Sequence, residues 1–229
     1  MGAWAARRYP LVLMPDDPLA RLSALGVVPV VALDRVADAV PVAEALVTGG
    51  LACLEITFRT AAAAAAIRRI RDAVPEIVLL AGTVRSVEQV NAAVAAGAEA
   101  IVAPGLNPAV VERCLDVGIP IVPGIATPTE LETALGYGLR VVKFFPAEPL
   151  GGIVFLKALA GPYPDVGFIP TGGVDPGNLA AYLGLPNVVA VGGTWLVRPE
   201  TVERRDFTRI TSLAAGAMAI VREIRSRPD

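Results

Sequence analysis

From Val27 onward the chain repeats one pattern: a nearly continuous apolar run, a junction of small or polar residues, an alanine-rich stretch at helical spacing, and a glycine before the next run. The runs at 27–33, 51–57, 77–82, 100–104, 119–124, 139–145, 168–171 and 188–192 are short and rich in Val, Ile and Leu, which predicts eight strands covered on both faces. Helices are predicted at 36–48, 61–74, 86–96, 107–117, 128–137, 150–160, 175–185 and 206–225. Strand–helix alternation of this kind implies parallel strands joined by right-handed crossovers. Eight units in about 200 residues predict a closed (β/α)8 TIM barrel, a single α/β domain over 27–225. An open doubly wound sheet is the runner-up, but no Gly-x-Gly-x-x-Gly follows the first run. Residues 1–25 are predicted to form an N-terminal helix and turn capping the bottom of the barrel. The alanine run at 61–66 reads as ordinary helix, capped by Thr60 and buried through Ile67 and Ile70.

Composition narrows the partners. Hydrophobic residues make up 54% and charged ones 18%, a compact globular balance rather than a disordered one. A net charge of −2 without a basic block gives nucleic acid and anionic membranes nothing to bind, leaving small molecules and copies of the chain itself. There are no histidines, which excludes His triads, His metal sites and imidazole bases. Cys53 and Cys114 lack CxxC spacing and sit in apolar runs, so they read as core thiols in a reducing compartment. The apolar stretch at 11–14 is too short for a signal sequence, and no run approaches the ~18 residues of a membrane span. A soluble, cytoplasmic protein is expected.

The chemistry is concentrated at the predicted strand ends. Lys and Arg together number 20, yet only Lys143 and Lys157 are lysines, and Lys143 lies inside the apolar run Val141-Val142-Lys143-Phe144-Phe145-Pro146. Alternation puts Lys143 on one face with Val141 and Phe145. Burial there strips the ammonium of water and favours the neutral amine, the form that attacks a carbonyl. The plainer reading is a lysine reaching for the rim or pairing with Glu148. In the second run, Cys53, Glu55 and Thr57 share the inward face, and a carboxylate inside an apolar strand is costly unless it is paired or used. Glu55 could serve as that partner, to Lys143 or to Arg59.

Thr83 follows Gly82, and Thr171 precedes Gly172 and Gly173, at corresponding places in the repeat. Each offers a hydroxyl beside a backbone that a ligand can approach closely. The loops Thr171-Gly172-Gly173 and Gly192-Gly193-Thr194 follow the seventh and eighth runs, the frequent place for a phosphate in such barrels. Pro104-Gly105 and Pro123-Gly124 close the fourth and fifth runs and shape the mouth, or simply stop the strands. Lys157 reads as a solvated helix residue, and Tyr137, Tyr163 and Tyr182 lie away from strand ends.

These motifs together resemble the 2-keto-3-deoxy-6-phosphogluconate (KDPG) aldolase family, whose members also act on 4-hydroxy-2-oxoglutarate (KHG). The resemblance runs from about Val28 to Val197 and rests on Leu-Glu-Ile-Thr-Phe-Arg-Thr, Ala-Gly-Thr-Val, Pro-Gly, Pro-Gly-Ile, Val-Lys-Phe-Phe-Pro-Ala-Glu, Pro-Thr-Gly-Gly and Gly-Gly-Thr-Trp-Leu, in that order. It implies a class I lyase of Entner–Doudoroff carbohydrate metabolism, a homotrimer of (β/α)8 barrels without metal or other cofactor. By resemblance, Lys143 is the Schiff-base lysine and Glu55 the proton-transferring carboxylate. Arg59, Thr83 and Thr171 bind the pyruvate carboxylate, Pro104 and Phe145 line the substrate, and Gly172, Gly173, Gly193 and Thr194 cradle the phosphate of the aldehyde half. Two departures stand out: Ala126 and Thr194 occupy positions where family members often carry Ser. Two rival readings stay open at this point. Another phosphate-binding barrel enzyme would share the Gly-Gly loops without needing Glu55 and Lys143 to face each other. A non-catalytic trimeric scaffold, natural or engineered, would retain these residues by descent.

Overall fold

A computed structural model of the chain describes residues 17–226. Among the described residues, nine parallel strands are interspersed with helices: β1 (Val27–Val31), β2 (Cys53–Thr57), β3 (Val78–Gly82), β4 (Ala100–Val102), β5 (Ile121–Val122), β6 (Gly124–Ile125), β7 (Val141–Phe144), β8 (Gly167–Pro170) and β9 (Val191–Gly193). Every residue of these strands is buried, the result expected for apolar runs that pack against neighbours on both sides. All eight predicted runs contain strand. Pro123 splits the fifth into β5 and β6, because proline has no N–H to give the ladder.

The strands pair in two sheets, one ordered β5-β4-β3-β2-β1-β9 and the other β6-β7-β8. Isolated parallel bridges join Phe168 to Val188 and Thr171 to Gly192, linking the β8 edge to the segment leading through β9. The outcome is a curled parallel sheet inside an α/β fold.

The helices are α1 (Pro18–Leu25), α2 (Ala39–Thr48), α3 (Ala63–Ala73), α4 (Val87–Ala96), α5 (Pro108–Asp116), α6 (Pro128–Gly136), α7 (Gly152–Ala160), α8 (Leu179–Leu183), α9 (Pro199–Glu203) and α10 (Phe207–Arg225). Side-chain caps set several starts: Asp17 accepts from Leu19 N–H, Ser86 from Gln89, Asn107 from Ala109, and Thr127 with Glu130 forms a capping box. Of the expected N-terminal helix, α1 is present, with Leu19 and Leu22 buried, and Gly26 at φ 73° turns it into β1. The part of that expectation before residue 17 lies outside the described residues.

Two local expectations are corrected, and one helix is added. Thr60 does not cap α3; its hydroxyl donates to Leu33 O at 2.5 Å, and the helix begins at Ala63 behind Ala62, without a side-chain cap. The segment at 175–185 is helical only over α8, because Asp175 and Asn178 spend their side chains on an Asx-type turn with neighbouring backbone N–H groups. The short α9, absent from the periodicity, starts on Pro199.

Candidate active site

Lys143, the third residue of β7, is 4% exposed, and Glu55, at the centre of β2, is 3% exposed. They lie in different sheets, so only the curl of the fold brings them together: Lys143 Nζ stands 3.7 Å from Glu55 Oε1. Nζ also lies 5.2 Å from the centre of the Phe145 ring. Glu55 Oε1 is buried without a hydrogen-bond partner in the protein. Burying two ions costs several kcal/mol each, and Coulomb attraction repays this fully only with tight, hydrogen-bonded geometry, which the pair lacks. As a stabilising device it is poor; as a nucleophile and a proton acceptor held near one another it is well placed. Space for the carboxylate is made by Gly82, where a Cβ would fall on Glu55 Oε1 and within 2.6 Å of its Cδ. Lys143 neither reaches the rim nor pairs with Glu148, which instead accepts a hydrogen bond from Tyr182.

Above the lysine opens a cavity of about 540 Å³. Arg59, Thr83, Arg85 and Pro104 line it from the ends of β2, β3 and β4, Lys143 and Phe145 from β7, and Thr171, Gly172, Gly173, Gly192, Gly193 and Thr194 from β8 and β9. All the sequence-predicted substrate residues therefore share one space, with Glu55 buried behind Lys143 rather than in the wall. Arg59 is oriented by its own strand: its Nε–H donates to Thr57 Oγ1 at 3.1 Å, and that hydroxyl donates to Val31 O at 3.1 Å. Thr83 sits at φ 57°, a left-handed turn that carries the chain from β3 toward α4. Across the cavity, Gly172 and Gly173 have φ values of 97° and 85°, conformations that only glycine adopts without strain. The lining thus combines two guanidinium groups, from Arg59 and Arg85, with the Thr83 and Thr171 hydroxyls and the glycine turn.

Over residues 19–213 the chain matches the profile of the family described as "Aldolase: KDPG and KHG aldolase". The chain belongs to that family. It is 52% identical over 200 residues to 2-dehydro-3-deoxy-phosphogluconate aldolase of Treponema pallidum (strain Nichols), covering 87% of this chain and 95% of the relative. Among solved structures it is similar to KDPG aldolase from Legionella pneumophila with pyruvate captured at low pH as a covalent carbinolamine intermediate, with a TM-score of 0.86 and 39% identity over 89% of this chain and 99% of that one. It is also similar to the Zymomonas mobilis ZM4 aldolase with 3-phosphoglycerate, with a TM-score of 0.83 and 40% identity over 91% and 97% of the two chains.

Against this aldolase background, the cavity residues that sequence reasoning missed are Val30, Phe58, Arg85 and Val174, whereas Gly192 belongs to the glycine pair already singled out. Phe58 and Arg85 lie in loops, where no periodicity marks them, although each follows a strand end already singled out. The remaining titratable candidates fall outside the cavity. Burial pushes the Cys114 thiol up to about 11 and Cys53 higher still, so neither supplies a thiolate near neutrality. Tyr137 and Tyr163 donate to Glu112 and Glu132 on the surface, and Lys157 is exposed. Among the described residues no three His, Cys, Asp or Glu side chains gather as metal ligands, and no helix is long and apolar enough to cross a membrane.

Proposed function

We propose that the chain is a class I aldolase that cleaves 2-keto-3-deoxy-6-phosphogluconate to pyruvate and glyceraldehyde 3-phosphate, and also accepts 4-hydroxy-2-oxoglutarate. The observation that carries this reading is the buried pair, Lys143 Nζ and Glu55 Oε1 at 3.7 Å, beneath a cavity whose walls offer two kinds of anion site. The family match and the relatives' activity agree with it.

In the proposed mechanism the uncharged Lys143 amine adds to the C2 carbonyl, and loss of water from the carbinolamine gives an iminium. Glu55 accepts the proton of the C4 hydroxyl, directly or through a water. The C3–C4 bond breaks, its electron pair passing to the iminium nitrogen to form an enamine as the aldehyde departs. The protonated Glu55 then returns a proton to C3, and water releases pyruvate and the free amine. The iminium is itself the electron sink, so the step as written calls on neither metal nor cofactor. Such acid–base help accounts for about 10²–10⁴-fold in rate. Arg59, with Thr83 and Thr171, holds the C1 carboxylate, the guanidinium offering two parallel donors. Pro104 and Phe145 confine the carbon chain. Gly172, Gly173, Gly193 and Thr194 bind the phosphate through backbone N–H groups and the Thr194 hydroxyl.

The proposal extends to architecture. The two sheets close into one (β/α)8 barrel domain: Pro123 alone separates β5 from β6, and the bridges at Phe168–Val188 and Thr171–Gly192 support the second seam. The enzyme works as a cytoplasmic homotrimer in sugar-acid breakdown of the Entner–Doudoroff type; the apolar Val154 on α7, 78% exposed, suits contact with another copy. The test is to supply 2-keto-3-deoxy-6-phosphogluconate and follow pyruvate release. Wild-type turnover with loss of activity in Lys143→Met supports the reading, and turnover that survives Lys143→Met refutes it.

A further inference from the structure

Tyr182, on α8, is fully buried, and a phenol at such depth needs a partner for its hydroxyl. It donates to Glu148 Oε1, 34 residues earlier in the chain. Glu148 opens the 3-10 turn Glu148–Leu150 that follows β7, and it also contacts the glycine turn after β8. Its N–H donates to Gly172 O at 3.0 Å, while the neighbouring Ala147 N–H donates to Thr171 O at 2.8 Å. Its Cβ and Cγ occupy the space beside Gly173, each 2.6 Å from where a Cβ on that glycine would stand. A Cβ on Gly152 would likewise lie 2.7 Å from Glu148 Oε1 and 2.8 Å from the Tyr182 hydroxyl. Two glycines thus make room for one tyrosine–glutamate contact. Burial first, then the Glu148 hydrogen bond and its charge, push the Tyr182 phenol far above its ordinary value. The hydroxyl therefore remains a donor at neutral and mildly alkaline pH.

We propose that Tyr182 and Glu148 are positioning residues that hold the Gly172–Gly173 turn in the shape that receives the substrate phosphate. Neither side chain lines the cavity. Tyr182 fixes the Glu148 side chain, and Glu148 fixes the turn through a backbone bond on one side of it and close packing on the other. Loosening the contact weakens phosphate capture and leaves iminium formation at Lys143 intact. This inference rests on the reading of that turn as the phosphate site.

The experiment compares wild type, Tyr182→Phe, Glu148→Gln and Glu148→Ala in steady-state cleavage of 2-keto-3-deoxy-6-phosphogluconate and of its unphosphorylated analogue. Borohydride trapping of pyruvate and thermal melting are measured alongside. Loss of a hydrogen bond to a charged group predicts that Tyr182→Phe and Glu148→Ala raise KM for the phosphorylated substrate about tenfold. Their kcat, the KM for the analogue and the half-saturation for pyruvate trapping stay within about twofold, as expected when only uniform binding is lost. Glu148→Gln, whose amide oxygen can still accept from the phenol, stays near wild type. Because Glu148 is exposed, Glu148→Ala serves should Tyr182→Phe fail to fold. A wild type that prefers the phosphorylated substrate, paired with variants of unchanged KM, overturns the inference alone. Equal losses on both substrates also overturn it, since they mark a general structural role. A wild type indifferent to phosphate overturns the phosphate site itself, and the inference with it.

Discussion

Gly82→Ala disturbs the proposed chemistry without altering any group that performs it. Gly82 ends β3 beside β2, paired with Thr57, and its φ lies outside the left-handed region, so alanine meets no backbone penalty there. The added methyl is the whole perturbation. It would land on Glu55 Oε1, 2.5 Å from Cγ and 2.6 Å from Cδ, so the carboxylate must swing away from Lys143. Overpacking of this kind costs about 1–3 kcal/mol. In a chain of this size that lowers Tm by roughly 2–12 °C, leaving a folded protein to assay. The kinetic effect is larger. Displacing the proton acceptor removes assistance worth roughly 10²–10⁴-fold, so kcat for cleavage falls by at least about 100-fold. Pyruvate release in a coupled assay reports the rate, and a melt at the same pH reports folding. Cleavage within about threefold of wild type in a folded Gly82→Ala protein would refute the placement of Glu55 as the proton-transferring group.

Other perturbations probe the rest of the site. Arg85 is exposed on the cavity wall and makes no ion pair among the described residues, so Arg85→Gln should raise KM for the keto acid about two- to fivefold with little change in kcat. Raising salt to about 1 M should erase the difference, and a KM gap that persists there would contradict an electrostatic role. Cys114, lifted by burial from 9.0 to about 11, binds its proton more tightly in the folded than in the unfolded chain. Its contribution to stability is complete below pH 9 and is lost as pH rises through about 11. Cys114→Ala should therefore flatten the alkaline arm of a Tm-against-pH profile, and parallel profiles for the two proteins would count against the assignment.

Much of this architecture is legible in the sequence because buried parallel strands write themselves as unbroken apolar runs, and a charged residue inside such a run is conspicuous. Lys143 and Glu55 stand out for that reason. Their meeting is not written locally: β2 and β7 share no hydrogen bonds, and only the sheet's curl brings Nζ and Oε1 within 3.7 Å. The glycine turn after β8 and the glycines of β9 are visible as Gly-Gly pairs, whereas Arg85 and Phe58 occupy loops, where neither periodicity nor composition distinguishes them. Thr60 shows the opposite failure. A residue type with a strong capping preference found the Leu33 carbonyl across the loop more favourable than a helix end. The Tyr182–Glu148 contact spans 34 residues and depends on glycines at 152 and 173, so no window of sequence contains it.

The central claim is that the buried Lys143 amine forms an imine with a 2-keto acid. Incubation with pyruvate and borohydride, followed by peptide mass mapping, tests it directly. The account predicts a reduced pyruvyl adduct on Lys143, absent when pyruvate is omitted, with the exposed Lys157 unmodified. An unmodified Lys143, or label shared equally between the two lysines, would contradict it.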